Sequence, residues 1–323
     1  MKRREFLKST VVLANAASFG GPASGAQLAT APCPVTLVPG PDYSRDMEKE
    51  IAAVMAADGL ALKGKKVLLK PNFVEAHPQR PINTHIAVIA GAAHACLRLG
   101  AAEVTVGEAS GHRRDPWFSV LNPSLRDILD KRVKCVDLNH GDAVSVPNAG
   151  RRTGLPVFYV AKPVAGADVL ITMPKMKTHH WMAVTLGLKN LFGILPGVYY
   201  GWPKNLLHFR GIDNSILDLA RTIRVHYSII DAIVGMEGDG PIMGKAKSVG
   251  TLVLSPFPLA ADATAARLMG FDPQLVPYLA LAGRFLPGLK QQDVVMRGEK
   301  PERFAAQFDC PEAFREMRGG PFF

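Results

Sequence analysis

Four short apolar runs constrain this chain more than any other feature. Lys66 to Leu69, Val104 to Val106, Val169 to Met173 and Ser228 to Ile230 suit buried strands and are too short for helices. Each stops in polar residues: Lys70 and Asn72; Glu108; Lys175, Lys177 and His179; and Asp231. Between them, apolar residues recur three and four apart. Met47, Ile51, Val54 and Met55 form one helical face, Ile86, Ile89, Ala90, Ala93 and Leu97 another, and Ile216, Leu219, Ala220 and Ile223 a third. Thr84, and Asp213 or Asn214, are expected to cap the second and third helices. A further helix is expected over 183–195, and irregular chain over 138–156. This alternation predicts an α/β fold, with a mainly parallel sheet, helices on both faces and irregular insertions.

Parallel sheets bind ligands at the carboxyl ends of their strands. If the four runs are parallel, their polar ends share one rim, a cationic cleft with two carboxylates beside it. Lysines there hold phosphate or carboxylate as point charges. A desolvated lysine near other cations also loses its proton more easily and serves as base or nucleophile. Lys177, His179 and Glu108 are therefore the candidate catalytic residues. Lys70, Asn72, Lys175, Thr178, Lys189, Asn190 and Asp231 are the candidate binding residues, for an anionic small molecule or cofactor. Plainer readings stand beside these: a solvated loop for Lys175 and Lys177, a structural His180, an exposed helix face for Lys189 and Asn190, and a helix-dipole partner for Glu108.

The segment Gly235 to Gly244 reads G-x-x-G-x-G and precedes a strand, unlike a dinucleotide fingerprint. Its Gly238 and Gly240 let backbone amides approach an anion, or simply make a tight turn. His179, His208, Asp231 and Asp239 are available to a metal, but their spacing matches no known ligand pattern. The sequence names no metal and no cofactor.

Net charge is +10, which suits anionic ligands. No basic run interleaved with aromatics points to nucleic acid. With 48% apolar and 20% charged residues, the chain is not a disordered one. The four cysteines form no C-x-x-C, so spacing indicates neither a zinc nor an iron–sulfur site. Residues 2–8, K-R-R-E-F-L-K, resemble a twin-arginine export signal, with small residues at Ser24 and Ala26 for cleavage. The expected organisation is a signal peptide over 1–26, a single α/β domain over 27–290 and a C-terminal arm over 291–323. The expected location is periplasmic or otherwise exported, with no membrane span in the mature chain.

Residues from about 66 to 285 resemble the family called domain of unknown function 362. The resemblance rests on Lys70-Pro71-Asn72, on Lys175 through His179, and on Val184-Thr185 through Lys189-Asn190 to Gly193. It continues through Asp231 and Gly235 to Gly244, and ends near Asp262 and Gly270. It implies membership without a defined activity. Relatives sometimes carry ferredoxin-type iron–sulfur modules, which implies a redox link. This chain lacks that cysteine run, so electron transfer would need a redox partner protein or another cofactor. Two functions are compatible with these residues: an enzyme acting on an anionic small molecule, or a non-catalytic cofactor-binding or maturation factor that partners an iron–sulfur or other redox protein.

Overall fold

The computed structural model describes residues 32–75, 77, 79–111 and 125–323. The expected signal peptide lies outside them; residues 111–123, with Trp117 and Phe118, read from sequence as a loop, and all of them but Gly111 also lie outside. The strands are β1 (Cys33–Pro39), β2 (Lys66–Lys70), β3 (Glu103–Glu108), β4 (Val133–Asp137), β5 (Ala143–Pro147) and β6 (Val157–Ala161). They continue with β7 (Val169–Thr172), β8 (Lys175–His179), β9 (Ala183–Thr185), β10 (Tyr227–Glu237), β11 (Lys245–Ser255) and β12 (Val294–Gly298). Ten of them form one sheet, ordered β12-β1-β11-β10-β7-β2-β3-β4, with β8 paired to β10 and β9 to β8. β10, β7, β2, β3 and β4 run parallel, and β11 lies antiparallel between β10 and β1. The fold is α/β, as the alternation predicts.

The strands' two-residue period divides the core. Leu68, Leu170, Ile230 and Val253 face one side, packed with the helices Ile212–Thr222 and Pro258–Leu268. Val67, Leu69, Ile171, Ile229 and Leu252 face the other, against Glu48–Ala57 and Ile86–Arg98. Each such aliphatic side chain, fully buried, contributes about 1.5–3 kcal/mol. Dry on both faces, the central strands read as apolar runs rather than alternating ones.

Several local expectations are corrected. Lys175–His179 is a strand rather than a loop. β10 spans eleven residues, so it pairs first with β7 at Tyr227 and Ser228, then with β8 at Asp231 and Met236. Asp231 therefore lies mid-strand, and Gly235 to Glu237 belong to β10 rather than to a loop. The segment 183–195 is not one helix: it holds β9, a short helix Gly187–Asn190 and a 3-10 turn Leu191–Ile194. The irregular stretch contains β5, which pairs with β6. Neither expected cap is used. Thr84 donates its hydroxyl to the Met173 carbonyl at 2.6 Å, leaving His85 to accept the Ala87 N–H. Gly211 stands at the start of Ile212–Thr222, and no side chain caps it. Residues 291–323 return along the body: β12 pairs with β1, and Phe304 and Phe308 are buried. No helix among the described residues is long and apolar enough to cross a membrane.

Candidate functional site

At the carboxyl ends of β2 and β3, Lys70 and Glu108 meet in full burial. Lys70 Nζ lies 2.7 Å from Glu108 Oε2, and also donates to the Pro71 carbonyl and to Asn190 Oδ1. Glu108 Oε2 accepts the Phe73 N–H at 2.9 Å, so it serves this pair rather than a helix dipole. Burial pushes the Lys70 ammonium down and the Glu108 carboxyl up; each partner pulls the other back. Wherever the proton sits, the pair carries no net charge. Gly193 packs on it, and a Cβ there would overlap both Glu108 Oε1 and Lys70 Nζ.

Asn190 ties these strand ends together. Its Nδ2 donates to the Lys70 carbonyl and to the Thr172 hydroxyl, each at 3.0 Å, while its Oδ1 faces the amines. Asn72 Oδ1 accepts Lys177 Nζ at 2.6 Å, and the Ile82 carbonyl accepts it at 2.9 Å. Lys177 is 1% exposed and has no carboxylate partner among the described residues. Burial first, then the charges of Lys175 and Lys189, lower it to about 7.

These residues line one cavity of about 220 Å³, together with Lys189, Lys204, His179, His180 and His208. Phe73, Trp181, Phe192 and Ile242 give it apolar walls. Lys189 Nζ stands 3.8 Å from the centroid of the Phe192 ring. That cation–π contact favours the charged form by about 0.5–2 kcal/mol, but burial and Lys70 prevail and bring the amine to about 7. The short helix carrying Lys189 and Asn190 is pinned at its start by Asp262, whose carboxylate accepts the Gly187 and Leu188 N–H groups at 2.7 and 2.9 Å.

The cavity's buried His179 and half-buried His208 differ in their hydrogen bonds. His179 Nδ1 accepts the Trp181 N–H at 3.1 Å, and burial holds the ring neutral, so the proton is on Nε2 and His179 is a donor. His208 Nδ1 lies 3.0 Å from the Lys204 carbonyl, which only accepts; Nδ1 therefore donates and the lone pair is on Nε2. His180 lines the cavity too, 3.5 Å from Asp239, because β8 ends at His179 and the chain turns there.

Sequence reasoning missed Lys204. It is 2% exposed, donates to Asn139 Oδ1 at 2.8 Å, and is lowered to about 8 mainly by burial. Its φ of +72° is costly for a side-chain-bearing residue, about 1–3 kcal/mol, and such strain concentrates at functional sites. The clue in the sequence is position alone, a lysine inside the aromatic segment 196–205.

Other expected residues lie elsewhere. Asp231 continues the Ile229 row, on the sheet face opposite to the row of Leu68 and Lys70. Lys175, paired to it in register, follows it there. Lys175 Nζ donates to Asp231 Oδ2 at 2.6 Å, to the Tyr43 hydroxyl at 2.8 Å and to the Val234 carbonyl at 3.0 Å. The pairing then jumps from Asp231↔Lys175 to Met236↔Lys177, an irregularity that separates the two lysines. Thr178 turns its hydroxyl back to the Gly238 carbonyl at 2.8 Å. Gly238 and Gly240 shape a turn behind β8, where a Cβ on Gly240 would overlap the Thr178 carbonyl. Neither glycine lines the cavity; the adjoining Pro241 and Ile242 do. Among the described residues no three His, Cys, Asp or Glu side chains are grouped to hold a metal.

Residues 67–267 match the family described as domain of unknown function (DUF362). The chain belongs to the DUF362 family. A thylakoid-associated protein of Synechocystis sp. is 28% identical over 227 residues, 68% of each chain. Among solved structures, the lactate racemase apoprotein of Thermoanaerobacterium thermosaccharolyticum matches with a TM-score of 0.45 at 14% identity, over 78% of this chain and 62% of that one. A Thermotoga maritima protein matches with a TM-score of 0.38 at 15% identity, over 75% and 60%. The DUF362 chain thus spans less than two thirds of the length of these two structures.

Proposed function

We propose that this DUF362 protein is an exported enzyme whose cavity binds a small anion with an apolar body. One observation carries the reading: four lysines and three histidines line the cavity, against Glu108 as the one carboxylate among the described lining residues. With Lys70 and Glu108 neutral as a pair, the surplus is Lys177, Lys189 and Lys204. Their pKa values are depressed first by burial without an ion-paired carboxylate, and an arriving carboxylate or phosphate offsets that cost. In this reading His179 donates through Nε2 and His208 accepts through Nε2, so proton transfer falls to His208 rather than His179. The apolar walls select the body of the ligand.

Export is supported by the twin-arginine-like start, and a thylakoid-associated relative is in keeping with a place at or beyond a membrane. The resemblance to a family whose members sometimes carry iron–sulfur modules supports a redox partner protein. The test is native mass spectrometry and calorimetry of the exported protein, and then turnover of whatever small anion it retains. Turnover abolished by Lys177→Met in a folded protein supports the enzyme. A retained anion with no turnover and a stoichiometric complex with an iron–sulfur protein supports the maturation factor instead.

A further inference from the structure

Lys189 differs from the other amines of the cavity. Lys70 is held by Glu108, and Lys177 and Lys204 donate to asparagine side chains. Lys189 Nζ has the Phe192 ring beside it and, among the described residues, no hydrogen-bond acceptor. Its backbone is fixed, because Asp262 holds the two residues before it. Among the described residues no hydrogen-bond acceptor holds the amine, so its lone pair is not engaged by one once the proton leaves. The surrounding groups are those an amine nucleophile needs: Lys177 and Lys204 to hold an acid group, and His208 to take a proton.

We propose that Lys189 forms an imine with the carbonyl carbon of an aromatic or otherwise apolar 2-oxo acid bound in this cavity. The inference rests on the anion-binding reading and adds the substrate class and the reacting atom. Unprotonated Nζ adds its lone pair to the carbonyl carbon, and the carbonyl oxygen takes a proton from the Lys204 ammonium, giving an N-protonated carbinolamine. The nitrogen then loses a proton to His208 Nε2, the hydroxyl takes one from a neighbouring lysine, and water leaves as C=N forms. One amine, one carbonyl and one net proton become one protonated imine and one water, with no oxidant or reductant. Burial beside Lys70 leaves part of the Lys189 population unprotonated at neutral pH. An ordinary surface lysine, with a pKa near 10.4, is almost wholly protonated there.

The test uses the whole protein with phenylpyruvate and cyanoborohydride at pH 7, read by intact mass and peptide mapping. The expected result is one reduced adduct per chain, on Lys189, suppressed at least tenfold by excess 3-phenyllactate and absent in Lys189→Arg. Phenyllactate has the acid and the ring but no reactive carbonyl. Binding of phenyllactate by calorimetry without any adduct from phenylpyruvate would overturn the imine and leave anion binding standing. Failure of both acids to bind would overturn both. Adducts spread over many lysines, or centred on another one, would overturn the assignment to Lys189. If Lys189→Arg does not fold, the wild-type peptide map still decides.

Discussion

Two buried lysine clusters lie on either side of one irregular strand, and they differ in one respect. Lys175 ends at Asp231 Oδ2 with Tyr43 and a carbonyl as further partners. Lys177, two residues later, ends at an asparagine and a carbonyl and forms no ion pair among the described residues; the charges of Lys175 and Lys189 oppose its ammonium more than Glu108 supports it. Burial is alike in both: each residue is 1% exposed. The comparison teaches that burial does not mark a functional lysine. In the proposed function, a buried amine with its carboxylate is finished chemistry, whereas one without it holds a place for an anion.

The largest expected effect lies on the finished side. Lys175→Met leaves Asp231 buried without its ammonium, and breaking such a pair costs about 3–5 kcal/mol. Urea unfolding of that variant should show the loss, with anion affinity unchanged in the folded fraction. Lys177→Met should do the reverse, staying within about 1 kcal/mol of wild type because the methionine removes a desolvated amine. Its anion affinity should fall at least tenfold by calorimetry. If the two variants behave alike, the distinction between the clusters fails.

A smaller effect separates them by pH. A lysine whose folded pKa is about 7 against 10.5 unfolded binds more protons in the unfolded chain between those values. Its contribution therefore disfavours the fold fully below pH 7, and stability recovers as pH rises from 7 towards 10.5. Lys177 should add a slope on the order of 1 kcal/mol per pH unit in that window. Unfolding curves at pH 7, 8 and 9 should show that rise reduced in Lys177→Met. The smallest change expected is in anion affinity with pH. It should be strongest below pH 7 and weaken by no more than about tenfold per unit above it for each amine that must be charged.

Much of this arrangement is legible in the order of the residues. Apolar runs that are dry on both faces announce a parallel sheet, and the polar residues ending each run are expected at the carboxyl rim where such sheets bind ligands. That logic places Lys70, Asn72, Glu108, Lys175, Lys177, His179 and Asp231 together, and the structure brings all of them but Lys175 and Asp231 to one cavity, with Lys189 and Asn190. The failures have physical causes. K-M-K-T-H carries no apolar period, so a buried strand with lysines in it reads as a solvated loop. Asp231 reads as a strand end because the apolar run stops there, yet β10 continues to Glu237 through residues held by pairing to β11. Lys204 reaches the cavity through a left-handed backbone and a contact with Asn139, 65 residues away, neither of which a local pattern encodes.

Proton uptake on binding tests the central claim most directly. Calorimetry of 3-phenyllactate binding at pH 8, in buffers of contrasting ionisation enthalpy, counts the protons exchanged. If amines near pKa 7 to 8 hold the anion, binding should draw protons in, up to about one per anion, and Lys177→Met should take up fewer. Tight binding with no proton exchange, or with protons released, would show that the anion is held by groups other than these unpaired lysines.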